Sequence, residues 1–149
     1  MTLDEFSRDT LETAGKVGFA IAKVIRDCSG AVVEEVVRAT PVDTGEARSN
    51  WIASIGAPTD ETRPPFAPGH KLGLEETENA DRAIEEAKKV LSGVKRSNDV
   101  VYIQNNLPYI EVLNGGSSEQ APPLFIETAV DRAVGSPVDR SLERFGDDF

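Results

Sequence analysis

Thr40-Pro41-Val42-Asp43-Thr44-Gly45, continuing Glu46-Ala47-Arg48-Ser49-Asn50-Trp51, is the stretch at which this chain changes its structural period. Upstream, Leu3, Phe6, Ala14, Val17, Ile21, Val24 and Cys28 recur at spacings of three or four, with one longer gap around Thr10. That is the apolar stripe of a helix. After Ser29-Gly30, a plausible kink, the pattern resumes with Val32, Val33, Val36 and Val37, so residues 2–39 are predicted helical. Thr2 can cap this helix, and Glu5 completes a capping box. Pro41 ends it: proline lacks the N–H and disfavours the helical conformation at Thr40. Val42-Asp43-Thr44-Gly45 then reads as a turn, with Asp and Thr bonding locally and Gly free to take positive φ. From Ser49 to Ile55 the chain alternates, with Trp51, Ala53 and Ile55 on one face, which predicts a strand.

The rest of the chain extends this switch into an α+β fold: a long N-terminal helix and a small, mainly antiparallel sheet flanked by helices. Residues 57–70 hold Pro58, Pro64, Pro65 and Pro68 and form a long irregular loop, with Phe66 near its tip as a candidate docking knob. A second helix is predicted over 75–92, with Ala80, Ala83, Ile84, Ala87, Val90 and Leu91 on one side, a Glu85–Lys89 pair outside, and Gly93 as its cap. The acidic run Glu75-Glu76-Thr77-Glu78 opens it at the positive end of the dipole. Asp99 to Gln104 reads as a second strand. Pro108 opens a short helix through Leu113, closed by Asn114-Gly115. Pro122-Pro123 opens a last helix with Leu124, Phe125, Ala129 and Ala133 apolar.

A chain of 149 residues is one domain by length, placed at 1–134 with a C-terminal extension over 135–149. In that extension Val138, Leu142, Phe145 and Phe149 fall on one helical stripe behind a Gly135-Ser136-Pro137 hinge, which makes it a candidate docking arm. The N-terminal helix would be about 55 Å long at ~1.5 Å per residue. That is more than one small domain can cover, so its surplus should meet a neighbouring subunit. The interface candidates are therefore Leu3, Val17, Ile21, Val24, Phe66, Leu142, Phe145 and Phe149.

Net charge is -10, which argues against gripping nucleic acid by its phosphates and suits a channel through which DNA slides. Residues 98–149 hold nine acids against three arginines, while 71–97 are balanced at six against six. The lone Cys28 offers neither a disulfide framework nor a cysteine cluster and reads as a small buried hydrophobe. No apolar run approaches a membrane span, and the first residues do not look like a signal peptide; a cytosolic protein is expected.

No residue set carries chemistry. Asp43-Thr44-Gly45 matches the aspartic-protease triplet, but that chemistry needs two carboxylates sharing a proton, and a structural turn is the stronger reading. His70, the single histidine, has no partner at metal-ligand spacing. Gly115-Gly116-Ser117-Ser118 lacks the lysine of a phosphate loop. No cofactor, no metal and no enzyme activity are expected.

Two phrases in this order carry a resemblance: Thr40 to Gly45 with Ala47-Arg48 and Trp51, then Val101-Tyr102-Ile103-Gln104-Asn105-Asn106-Leu107-Pro108-Tyr109 with Leu113-Asn114-Gly115-Gly116-Ser117 and Gln120-Ala121-Pro122. They resemble the tail-completion and head-to-tail joining proteins of tailed bacteriophages, over roughly residues 40–130. The resemblance implies a structural virion protein. It implies a six-fold homo-oligomeric ring at the neck or tail, partnered by connector or tail-tube proteins and passing DNA as cargo. Assembly would take place in the host bacterial cytoplasm. Family members often carry a bulky aromatic where Gly116-Ser117-Ser118 stands. A protein-binding adaptor unconnected with phage is the alternative, with a protease using Asp43 far behind.

Overall fold

A computed structural model describes residues 2–42, 45–67 and 74–135. Asp43, Thr44, His70 and the arm residues Leu142, Phe145 and Phe149 lie outside the described residues, as does the Ser136-Pro137 part of the expected hinge. The element order is α1 (Leu3–Ala39), α2 (Glu46–Ser49), β1 (Trp51–Ile55), α3 (Leu74–Leu91), β2 (Val101–Asn105) and α4 (Ile110–Val112). A wider turn over Leu113–Ser117 follows α4, and then α5 over 125–135. The strands form a two-stranded antiparallel sheet in register Trp51↔Asn105 through Ile55↔Val101. The fold is thus a mainly helical α+β arrangement with a long N-terminal helix.

α1 starts as its sequence dictates. The Thr2 side chain accepts from Glu5 N–H at 3.2 Å, and the Glu5 carboxylate accepts from Thr2 N–H at 2.7 Å, which satisfies two orphan donors of the first turn. Ser29-Gly30 does not interrupt the helix. Gly30 is buried, and a Cβ there would meet Lys88 Cε at 3.8 Å, an ordinary van der Waals contact; the glycine makes no kink.

The far end of α1 is closed by side chains from the turn beyond it. Thr40 Oγ1 donates to Val36 O at 2.6 Å and accepts from Trp51 Nε1 at 2.8 Å. Arg48 donates to Thr40 O at 2.9 Å and to Arg38 O at 3.2 Å. The free carbonyls of a helix C-terminus attract such a cation.

The core lies between the C-terminal half of α1 (Val33, Val36, Val37), the alanine-rich face of α3 (Ala80, Ala83, Ile84, Ala87, Leu91), the inner sheet face (Trp51, Ala53) and α5 (Phe125, Ala129). The alanines let α3 sit close to α1 and β1. Outside, Lys88–Glu34 at 2.6 Å, Arg38–Asp81 at 3.3 Å and Arg132–Glu35 at 3.6 Å tie α3 and α5 to α1; as exposed pairs they contribute little each. The expected Glu85–Lys89 pair forms at 3.7 Å.

Several boundaries differ from expectation. Ser49 and Asn50 precede β1 instead of opening it. The Ser49 hydroxyl reaches Gly45 O at 2.8 Å and Asn79 Oδ1 at 2.9 Å, so one helical turn is inserted before the strand. β2 runs over Val101–Asn105, two residues later than its predicted start at Asp99. Asp99 instead closes the preceding turn, accepting from Lys95 and Arg96 N–H at 2.9 Å each; these bonds hold its carboxyl below the usual range. The left-handed glycine after α4 is Gly116, φ 95, not Gly115. Leu124 is not a core residue: it is 56% exposed with φ 59.

Gly45 has φ 84, and a Cβ there would fall 2.2 Å from Asn79 Nδ2. Asn79 is buried and bonds both Ala67 N–H (2.8 Å) and Ala67 O (2.6 Å). Gly45→Ala should therefore unseat Asn79, and Asn79→Asp should oppose two acceptors at Ala67 O. Each is expected to lower urea stability by about 1–3 kcal/mol with an unchanged m-value, in line with a buried polar group left unpaired; a loss under ~0.5 kcal/mol would refute the clasp's role.

Candidate functional site

α1 divides into two halves with different surroundings. Residues 2–16 are all exposed, and the first buried residue is Ala22. At ~1.5 Å per residue, about 22 Å of helix stands clear of the domain. The face that meets the core carries Ala22, Val33 and Val36. The stripe of Leu3, Phe6, Ala14, Val17 and Ile21 lies about 140° round from the centre of the buried set Ala22, Gly30, Val33, Val36 and Val37 at ~100° per residue. The sequence shows these as one overlong stripe. The structure separates them into a core face and a second face pointing elsewhere.

That second face is a shallow groove of about 710 Å³ lined by Phe6, Thr10, Ala14, Val17, Gly18 and Ile21, with Ser97 at its domain end. Thr10, the gap in the stripe, donates its hydroxyl to Phe6 O at 2.8 Å, so its methyl group is left to the surface. Where α1 meets the domain, Arg26 donates to Val94 O at 2.6 Å. Val24 and Cys28 prolong the stripe into the half-buried zone. Burial pushes the Cys28 thiol up, away from the reactive thiolate.

Of the predicted interface residues, Leu3 is 80% exposed and Ile21 is exposed, while Val17 and Val24 are half-buried. Leu11 (74% exposed) and Phe19 (68% exposed) were missed. They lie off the stripe, and only their exposure marks them. Apolar residues on more than one side fit a helix enclosed by neighbours better than one lying on a single surface.

Phe66 corrects its expectation. It is half-buried against the core, with the guanidiniums of Arg63 and Arg82 at 4.9 and 5.0 Å from its ring centroid. With two cations over its ring, it anchors its own loop and is no exposed knob. Residues 57–67 are also fastened by amides. Arg63 is held at both N–H (2.8 Å) and C=O (2.7 Å) by Asn50. Thr59 N–H is held by Gln104 at 2.7 Å, and Glu61 O by Asn106 at 2.9 Å. Beneath this strap, Glu61, Arg63 and Glu86 line a pocket of about 250 Å³ with Ile52 and Val90. Burial lowers the Arg63 guanidinium, and Glu86 and Glu61 oppose the shift. Among the described residues no group of His, Cys, Asp and Glu is placed to hold a metal ion, and no helix is long and apolar enough to cross a membrane.

The residues of the two quoted phrases are joints. Gln120 bonds both Val42 N–H (2.9 Å) and Val42 O (2.7 Å), which ties the second phrase to the first across 78 residues. Tyr109 reaches the Glu46 carboxylate at 3.2 Å. Comparisons with protein-family models, with curated proteins and with solved structures return no significant match.

An overhang that contributes nothing to the core should be removable. Deleting residues 2–16 is expected to change urea stability by less than ~0.5 kcal/mol. Phe125→Ala, in the core at 2% exposure, should cost about 3–5 kcal/mol. Comparable losses for both would mean that the first half of α1 packs on its own domain.

Proposed function

We propose that this chain is a structural virion protein of a tailed bacteriophage, forming or completing a ring at the neck or head-proximal end of the tail. The observation that carries the reading is the exposed first half of α1. A preformed helix with an apolar stripe extends beyond a domain that has already closed its core with the other half. Such a helix fits a groove on the next subunit, and head-to-tail contacts of that kind close into rings. The phrases resembling the tail-completion and head-to-tail joining proteins support the reading from a second side. Arg48, Trp51 and Gln120 each serve to clasp the base of this helix or the turn after it, a use suited to holding a projecting helix at a fixed angle.

The net charge of -10 is compatible with lining a passage for DNA without retaining it. The role asks for no catalytic residue and no cofactor. The partners would be further copies of this chain and the adjoining connector or tail-tube proteins, in the virion and, during assembly, in the bacterial cytoplasm.

Light scattering coupled to gel filtration tests this directly. The protein, alone or on addition of tails or connectors, should give a discrete multiple of its 16.1 kDa chain. Phe6→Asp with Ile21→Asp should leave the folded domain intact by circular dichroism while reducing assembly at least tenfold, because each buried side chain of this size contributes about 1.5–3 kcal/mol. Assembly that proceeds equally well with both charges in place would overturn the proposal.

A further inference from the structure

Val100-Val101-Tyr102-Ile103-Gln104-Asn105-Asn106-Leu107 contains no charged residue, in a chain that is 28% charged. The structure makes this run an edge strand. Gly56 N–H donates to Val100 O at 2.8 Å, and with Ile55 opposite Val101 this sets the phase of the ladder. Tyr102 and Gln104 turn their backbone groups toward β1, and Val101, Ile103 and Asn105 turn theirs away. Among the described residues, no backbone bond from another element reaches those outward groups. The opposite edge is covered, although among the described residues no ladder bonds it: Trp51, Ile52 and Ala53 of β1 are buried. β2 is half-buried along its length and carries no lysine, proline or bulge of the kind that guards an open edge.

We propose that β2 pairs with β2 of a second copy, antiparallel about a two-fold axis at Ile103, to give a four-stranded sheet. Three observations select a second copy as the occupant. The outward residues are symmetric about Ile103, so pairing Ile103 with itself and Val101 with Asn105 uses all of them. Self-pairing sets any charge beside its like, which is destabilising, and this run has none to oppose. With the first three residues of β1 buried, the accessible edge for a sheet continued between copies is β2. The contact is isologous, distinct from the head-to-tail contact assigned to α1, and does not rest on the ring reading. The net charge of -10 repels at long range and is screened by salt, so pairing strengthens as ionic strength rises.

The register supplies the test. Across the two-fold axis, Tyr102 stands opposite Gln104 of the second copy at a non-hydrogen-bonded position, where Cα atoms are about 4.5 Å apart, within disulfide reach. Tyr102→Cys and Gln104→Cys are made separately in a Cys28→Ser background. Oxidising the mixture should give at least tenfold more of the mixed cross-linked dimer than either variant gives of its own. Equal yields, or no mixed dimer, would overturn the proposal. Because Gln104 also holds Thr59, amide hydrogen exchange of the unaltered protein provides a second reading. The Val101, Ile103 and Asn105 amides should slow as protein concentration and salt rise. Amides that stay fast at every concentration, or that are already protected in a monomer, would equally refute it. So would protection that appears only on adding a different protein.

Discussion

Among the described residues, Asn50, Asn79 and Gln120 each hold an irregular part of the chain by bonding one residue's N–H and C=O together, as a peptide group would. Asn50 bonds the N–H and C=O of Arg63, Asn79 those of Ala67, and Gln120 those of Val42. An amide offers one acceptor and two donors in one plane, so it can meet a residue as the neighbouring strand of a ladder does. The segment from Gly56 to Ala67 needs this substitute. Pro58, Pro64 and Pro65 lack an N–H and cannot extend a ladder, yet the segment covers one side of the sheet. Asn50 and Asn79 are almost fully buried. A net hydrogen bond is worth about 1 kcal/mol, but stranding a buried partner costs about 1–3 kcal/mol, so the clasps fix the loop's path more than they add to stability.

The same economy of contacts settles what α1 can do. Its C-terminal end is held by Thr40, Arg48 and Trp51, its middle by Arg26, and its last turns by the valines of the core. Residues 2–16 are exposed throughout. That half stays helical because a helix already nucleated adds one bond per residue at little cost. The Thr2–Glu5 capping box and the Lys16–Glu12 pair at 3.4 Å support it locally.

The elements could be read in the sequence because their signals are local. Thr2 and Glu5, Pro41, the alanines of α3 and the β-branched run of β2 act within a few residues of themselves. The strap and the joints could not be read: Gln120 and Val42 are 78 residues apart, Gln104 and Thr59 are 45, and an amide facing a backbone leaves no periodicity. Phe66, between prolines, carries the pattern of an exposed residue, and only the arrival of Arg63 and Arg82 on its ring makes it an anchor. The stripe of α1 was legible as apolar, and spacing alone gives the angle to the second set of apolar residues. Spacing does not tell which of the two faces the domain covers. Leu11 and Phe19 were invisible for the same reason: single apolar residues off a stripe are ordinary in any sequence.

That division bears on how strongly a partner could hold this helix. Binding by a disordered segment loses backbone freedom, about 1–2 kcal/mol for each residue fixed. The first half of α1 is already helical, so that term is small and the cost falls on a few side chains. Phe6, Val17 and Ile21 can then contribute most of their transfer free energy to association. In the proposed assembly a rigid projecting helix would also fix the angle of the next subunit, which a flexible arm would not. Closure of the proposed ring would depend on that angle, and the clasp of Arg48 and Trp51 at the base of α1 sets the direction in which the apolar stripe along its exposed half is presented.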